Sequence, residues 1–539
     1  MAWAIFCLVG LHLFNPGWLS ESNLYEATLT EHDQNPSLRN HLNKCYTRNR
    51  TKFYSKSPSI EYSGDQKRVV EAVVWAWSGY KKYAFGHDVL DTATMKGVAW
   101  LNHDIGLTLI DSLDTMFLLG MTNEFQESLL WVREVFPEKL QKGGVVSVFE
   151  TTIRVLGGLL SAYHLSGERH VLDAAVTLAD SLSQSFNTLS GIPLSLINLT
   201  DGVGHEQSTL AQIGTLQLEF KYLAQLTCNN NYRVYVEHIM NSLLQEMTQY
   251  YPDGLLPIQI SDEGRIDSTS IISFGANGDS YYEYLLKQWI FSDKKDDKYK
   301  LAYEMAIKSM KEKMVRKAVG LSNLTILGDL SLNKDGTRSF EAKMQHLACF
   351  VPGMLALGFF HGMPIWHLEL AKELMQTCFV MYDEMESGLA ADEAYFQVEN
   401  EKNVSPKHNA RLKHNNPNYS PNYNAKDFLV PTQNENILRP EAVESLMILY
   451  RVTHDEMYRS WGRKILDAFE LGCQIPEGGF SGVMEVHLKN PYHNDKVMES
   501  FFIAETLKYL FLLFSDDDIL PLDEYVFNTE AHPFPIFRH

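Results

Sequence analysis

Residues 148–168, VFETTIRVLGGLLSAYHLSGE, hold the pattern on which the fold turns. Phe149, Ile153, Leu156, Leu160 and Tyr163 recur at steps of three and four, the period of a helix with an apolar stripe. Glu150, Arg154, Gly157, Gly158 and Ser161 fall off that stripe. They make a second, narrow face, bare at the glycines and carrying an acid and a base one turn apart. On a solvated helix such an i,i+4 pair contributes roughly a few tenths of a kcal/mol and needs no further meaning. Its surroundings decide whether it has one.

The same beat returns along the chain: an apolar helix, a short polar turn, then a more charged helix. Residues 108–120 (TLIDSLDTMFLLG) open the series, answered by a helix over 125–135. The later apolar members begin at Phe149 and span 210–226, 279–290 (DSYYEYLLKQWI, with 299–313 returning), 345–359, 440–451 and 498–514. Their spacing varies over about 40 to 95 residues, which marks a loose structural repeat rather than a tandem array. Helices apolar all round alternating with amphipathic ones predict an inner and an outer ring. Short turns make each hairpin antiparallel, so the inner helices run parallel to one another. The fold expected is all-α, an (α/α)7 barrel of seven hairpins with seven inner and seven outer helices. An open solenoid is the alternative arrangement of the same hairpins. The turn-rich tail at 523–539 (DEYVFNTEAHPFPIFRH) suits a closed ring, which it would plug as a β-hairpin.

Composition narrows the class. In 539 residues, 45% are hydrophobic and 12% aromatic, enough for a large core. A formal net charge of −20 argues against nucleic acid and anionic membrane surfaces as partners, since both need basic patches. Residues 2–14 (AWAIFCLVGLHLF) form an apolar run with no preceding Lys or Arg, which leaves a cleaved signal and a short membrane anchor both open. Sequons at Asn49, Asn198, Asn323, Asn403 and Asn418 add to a secretory reading. With Cys7 in the apolar run, the other five cysteines allow one or two bridges and a thiol left over. The chain therefore divides into a signal or anchor (1–20), a polar lead (21–64) and a barrel (65–539). A polar insertion at about 400–436 reads as a surface loop.

Parallel inner helices bring their N-termini to one rim, and several start with an acid: Glu150, Asp279, Glu441 with Glu444, and Glu499. First-turn carboxylates also favour the helix dipole, by about 0.3–1 kcal/mol, so each alone is unremarkable. Glu505 is harder to dismiss, because it stands mid-helix among apolar neighbours where an unpaired charge is costly. A ring of acids requires protons, a cation or a polyhydroxylated ligand. Calcium prefers oxygen donors, which Thr529 and Glu530 in the tail would supplement. Paired carboxylates are also the machinery of glycoside hydrolysis, and a wide ring leaves room for the water that inversion needs.

The segments GLTLIDSLDTMFLLG, VFETTIRVLGGLLSAYHLSG, GDSYYEYLLKQWI, HLACFVPGMLALG, LRPEAVESL, MESFFIAETLKYLFLLF and VFNTEAHPFPI occur in this order from about residue 70 onward. They resemble glycoside hydrolase family 47, the class I α-1,2-mannosidases that trim N-glycans, and the wording of the fourth and last is similar to the endoplasmic reticulum branch. The resemblance implies an (α/α)7 barrel and a calcium-dependent, inverting exo-α-1,2-mannosidase acting on high-mannose N-glycans of the Man9GlcNAc2 type. It implies Glu150 as general acid, Glu441 as base and Asp279 as a third catalytic carboxylate. Thr529 would bind calcium directly, with Glu444, Glu505 and Glu530 acting through water. Arg154, Glu283, His346, Asp392, Arg439, Glu444, Phe501 and Glu505 match positions around the sugar. Cys349–Cys378 matches the family's disulfide. Two positions depart from the pattern: Asn277 where endoplasmic reticulum members carry a branch-selecting arginine, and Asp392 in place of a glutamate. The resemblance further implies a monomer acting on glycoproteins in the endoplasmic reticulum or Golgi, anchored or soluble. A lectin-like quality-control factor of the same fold is the alternative.

Overall fold

The inner helices are buried on all sides, their polar side chains included. In the computed structural model, every residue of Asp279–Phe291 after the first is buried. The outer helices bury a single stripe, as in Glu456–Gly472, where Tyr458, Gly462, Ile465, Leu466 and Phe469 face inward. The structure describes Tyr62 and residues 64–538, except 102, 206, 262, 319–323, 399–428 and 494–496. The N-terminal apolar run, nearly all of the polar lead, most of the insertion and the sequons at Asn49, Asn323, Asn403 and Asn418 lie outside the described residues. Among those described, no helix is long and apolar enough to cross a membrane.

Among the described residues seven inner segments appear: Leu107–Asp111 with Leu113–Leu118, Val148–Glu150 continuing to Gly157–Ser166, Leu210–Gly214 with Gln217–Thr227, Asp279–Phe291, His346–Phe350 with Val351–Phe360, Glu441–Thr453, and Phe502–Thr506 with Leu507–Leu513. Each packs on the next, and the seventh returns to the first. The Thr115 hydroxyl donates across that seam to the Ile503 carbonyl at 3.2 Å. The ring is closed, and the open solenoid is excluded.

The outer layer corrects the hairpin count. Six inner helices turn back into outer ones: Thr122–Glu134, Arg169–Ser183, Asn231–Tyr250, Asp297–Lys313, Trp366–Asp383 and Glu456–Gly472. The seventh pair joins the two ends of the barrel, because Gly64–Ala84 packs against Leu507–Leu513. No local pattern announces such a partner, since the two helices are brought together only by closure.

The turns from inner to outer helices are short, whereas the returns are long and carry the small antiparallel sheets. All the long returns therefore crowd the rim where inner helices begin. One of them differs from expectation: Leu429–Gln433, in the supposed surface loop, is a strand paired with Glu393–Phe396. The chain leaves the last inner helix at the opposite rim, and Tyr525–Phe527 pairs with Pro533–Pro535 as a hairpin that enters the barrel. Its bend is fixed from several helices. Asn528 Nδ2 donates to the Ile153 carbonyl at 2.9 Å and to Glu219 Oε1 at 2.8 Å. Lys508 Nζ donates to the Ala531 carbonyl at 2.9 Å. His532 lies between Asp114 at 2.8 Å and Asp111 at 3.0 Å. Cys349 and Cys378 form a disulfide, Cys228 is also disulfide-bonded, and Cys473 is a buried thiol.

Candidate active site

Three inner helices deliver Glu150, Asp279 and Glu441 at their first turns, so parallel packing brings all three to one cavity of about 260 Å3. Ser147 caps the first of these helices by accepting from Glu150 N–H at 3.3 Å, which fixes where Glu150 leaves the backbone. The next residues, Thr151–Leu156, wind as a π-helix, and a second π-segment spans Phe502–Thr506. Single π-turns inside α-helices are uncommon and gather at functional sites. Here they carry Arg154 and Glu505, both of which line the cavity.

Arg154 is the hub of the wall. Its Nε donates to Glu150 Oε2 at 2.8 Å and its Nη1 to Ser500 Oγ at 2.9 Å. Glu530 Oε1 lies 3.4 Å from Nη1, within ion-pair reach but without a hydrogen bond. The rings of Phe501 and Trp100 flank the guanidinium at 5.5 and 5.8 Å. The pair that would contribute little on a solvated helix is thus enclosed, with Glu150 keeping 23% of its side chain exposed to the cavity mouth.

On the other side, Asp279 Oδ1 accepts from Ser280 N–H at 2.7 Å, and Glu441 is held by His346 Nδ1 at 2.7 Å. Lys287, one turn after Glu283, pairs closely with it and stands 3.8 Å from Glu444. Tyr509 donates to Glu444 at 3.5 Å. Thr529 and Glu530, on the hairpin bend, complete the lining.

Most of the expected residues meet here: Glu150, Arg154, Asp279, Glu283, Arg439, Glu441, Glu444, Phe501, Glu505, Thr529 and Glu530 all line the cavity. Two do not. His346 is buried behind Glu441, between it and Tyr382, and has no face on the cavity. Asp392 stands behind Arg439 and pairs with its guanidinium, so it steers a lining residue without lining the cavity itself. Glu499 is likewise absent from the lining, although its charge acts on Arg154 and Arg439. Two further residues carry little signal in the sequence: Lys287, the one cation of its helix, and Gln212, which lines the cavity while its side chain closes a capping box with Thr209. Asn277 also lines the cavity, in the left-handed region at φ 72° that asparagine tolerates better than most side chains.

Seven carboxylates and two guanidiniums share this lining. The excess of acid shows in the ionisation. Burial lifts Asp279 to about 7, with the charges of Glu283 and Glu441 adding to it. Burial also lifts Glu444 to about 8, against the pull of Lys287. Glu505 and Glu530 are pushed well above the carboxylate range by burial, and for Glu505 the charge of Glu530 reinforces it. Such a cluster holds protons unless a cation replaces them. Among the described residues no three His, Cys, Asp or Glu side chains converge as a ready-made metal cage. The lining includes neither imidazole nor thiol, so its oxygen donors, Thr529 among them, suit a hard cation.

With this geometry in view, the relatives are informative. Residues 72–536 match the sequence profile of Glycosyl hydrolase family 47. The endoplasmic reticulum mannosyl-oligosaccharide 1,2-alpha-mannosidase of Rattus norvegicus is 43% identical over 481 residues, covering 88% of this chain and 68% of that protein. The Homo sapiens protein of the same name is 42% identical, with 88% of this chain and 64% of its own length covered. Mannosyl-oligosaccharide 1,2-alpha-mannosidase IB of Mus musculus is 38% identical, covering 89% and 71%. The solved α-1,2-mannosidase from Trichoderma reesei aligns at TM-score 0.78 and 28% identity, over 88% of this chain and 99% of that one. A D-mannose isomerase structure, at TM-score 0.50 and 14% identity, shares the fold alone. Profile, sequence relatives and barrel agree: the chain belongs to glycosyl hydrolase family 47.

Proposed function

We propose that this chain removes terminal α-1,2-linked mannose from high-mannose N-glycans of the Man9GlcNAc2 type in the lumen of the secretory pathway, with inversion and with calcium bound. The observation that carries this reading is the convergence of Glu150, Asp279 and Glu441 in one enclosed cavity of about 260 Å3. That volume is near the lower end for ligand pockets, which suits one terminal sugar and so an exo-acting enzyme.

Glu150, held by Arg154 at the mouth, serves as the acid that protonates the departing glycosidic oxygen, directly or through a water. Glu441, oriented by His346, takes a proton from the attacking water. Asp279, poised near 7, is the third carboxylate and orients that water or passes the proton on. Calcium, when bound by Thr529 with Glu444, Glu505 and Glu530 through water, would supply the positive charge that lets the sugar's hydroxyls sit among so many acids. Phe501 and Arg439 flank the sugar and Asp392 sets the angle of Arg439.

Incubation with Man9GlcNAc2 tests the reading. The protein should release mannose as its β-anomer in the first spectra, and a calcium chelator should stop release. Glu150→Gln should lower kcat by about 100- to 10,000-fold, the range general acid catalysis supplies. Glycan binding without release by the intact, calcium-loaded protein would instead select the lectin-like factor of the same fold.

A further inference from the structure

Behind Glu441 run two buried side chains in file, His346 and Tyr382. Glu441 Oε2 is 2.7 Å from His346 Nδ1, and His346 Nε2 is 2.7 Å from Tyr382 Oη. Tyr382 and His346 are both buried, and their rings meet edge to face at 5.6 Å. Among the described residues the Tyr382 hydroxyl has no other side-chain partner. That fact limits the arrangement of hydrogens. If the hydroxyl donates to Nε2, the neutral imidazole carries its proton on Nδ1 and donates to the carboxylate, so both bonds are made. If Nε2 carried the proton instead, the Nδ1 lone pair would face the Glu441 carboxylate and the phenol hydrogen would be buried unpaired.

The three segments are pinned against one another independently of this file. The Cys349–Cys378 disulfide joins the helix starting at His346 to Trp366–Asp383, which carries Tyr382 one turn further on. Ser445, one turn beyond Glu441, accepts from Gly353 N–H at 2.7 Å and donates to the Cys349 carbonyl. The His346 N–H donates to the Asp392 carbonyl at 2.8 Å. Such bracing suits a file whose distances must not drift.

We propose that Tyr382 is a positioning residue: its hydroxyl fixes the Nδ1–H tautomer of His346, which in turn aims Glu441 with Oε1 turned toward the attacking water. This rests on the reading of Glu441 as the base. The groups around that carboxylate are His346, Arg439, Asp279, Glu444 and Glu505, so loss of the imidazole donor leaves mostly acids to repel it.

The experiment compares wild type, Tyr382→Phe, His346→Gln and Glu441→Gln in the calcium-loaded full chain, on Man9GlcNAc2. Tyr382→Phe should lower kcat by roughly tenfold to a hundredfold, the scale of losing an outer partner of a functional histidine, with KM changed less than about twofold. In two-bond 1H–15N spectra of wild type, the histidine absent from His346→Gln should show the Nδ1–H pattern, and Tyr382→Phe, which leaves only the Glu441 carboxylate to select it, should shift that pattern toward a mixture of the two tautomers. An Nε2–H pattern in wild type overturns the proposal even if Tyr382→Phe does not fold. So does a folded Tyr382→Phe with unchanged kcat. Wild-type turnover by Glu441→Gln would remove the underlying reading of the base, a result distinct from either.

Discussion

Arg154 makes the strongest case for reading single residues by their surroundings. Its guanidinium serves Glu150, Ser500 and Glu530 at once, from three different stretches of chain. A lysine has one compact charge on a flexible stem and no planar fork, so it cannot reach partners spread over Nε and Nη1 from a single nitrogen. Arg154→Lys should therefore lower kcat/KM on a high-mannose glycan by at least about tenfold. It should also cost roughly 1–3 kcal/mol of stability, as breaking a buried charged hydrogen bond does. Denaturant unfolding beside initial rates checks both. The spacing of Glu150 and Arg154 was legible in the sequence, and so was the oddity of Glu505. What was not legible was their third partners. The π-turns at Thr151–Leu156 and Phe502–Thr506 shift side chains off the regular helical register, and no periodicity in TTIRVL or FIAET announces that. His346 and Asp392 stand one layer behind the cavity lining for a related reason: a motif records which residues attend the sugar but not through which neighbour they act.

Among the elements, the C-terminal hairpin governs most. It carries Thr529 to the cavity floor and is received there by the bare face of Gly157 and Gly158. A Cβ built on Gly157 would come 2.7 Å from Asn528 Nδ2 and 2.9 Å from His532 Cδ2, and one on Gly158 would come 2.8 Å from the Ile110 carbonyl. These contacts explain why a helix otherwise rich in large side chains gives up two. Gly157→Ala should displace Asn528 and with it the adjacent Thr529. The expected cost is about 1–3 kcal/mol, typical of overpacking a fitted interior, together with weaker calcium binding in titration calorimetry. Gly472→Ala, where the added Cβ would meet only Leu389 at an ordinary 3.4 Å, should leave calcium binding unchanged. The glycines could be seen in the sequence as a narrow face, and the tail as a plug. That the one receives the other could not, because the residues in contact are separated by most of the barrel.

At the scale of the whole molecule, closure links the ends of the barrel and buries groups that local pattern would leave wet. The sequence carried the number of inner helices and their parallel order through their apolar runs, yet the helix Gly64–Ala84 went uncounted because its partner is the last inner helix rather than the next one. His164 shows what closure does to ionisation. It belongs to the second inner helix, accepts or donates at 3.1 Å to Tyr222 on the third, and lies 3.4 Å from Tyr525 Oη on the hairpin. Burial lowers its pKa to about 4. In the unfolded chain the same imidazole titrates near its usual 6.5. Above about 6.5 neither state binds the proton and the full stability is present. As pH falls from 6.5 toward 4, only the unfolded state takes up the proton, so this group's contribution is lost, at roughly 1.4 kcal/mol per pH unit. Glutamine at this position keeps a donor and an acceptor for the two tyrosines but cannot titrate. The unfolding free energy of His164→Gln, measured by denaturant at pH 5, 6 and 7, should fall less steeply with acid than that of the wild type. The difference should correspond to about one proton, and equal slopes would mean that His164 is protonated inside the folded barrel.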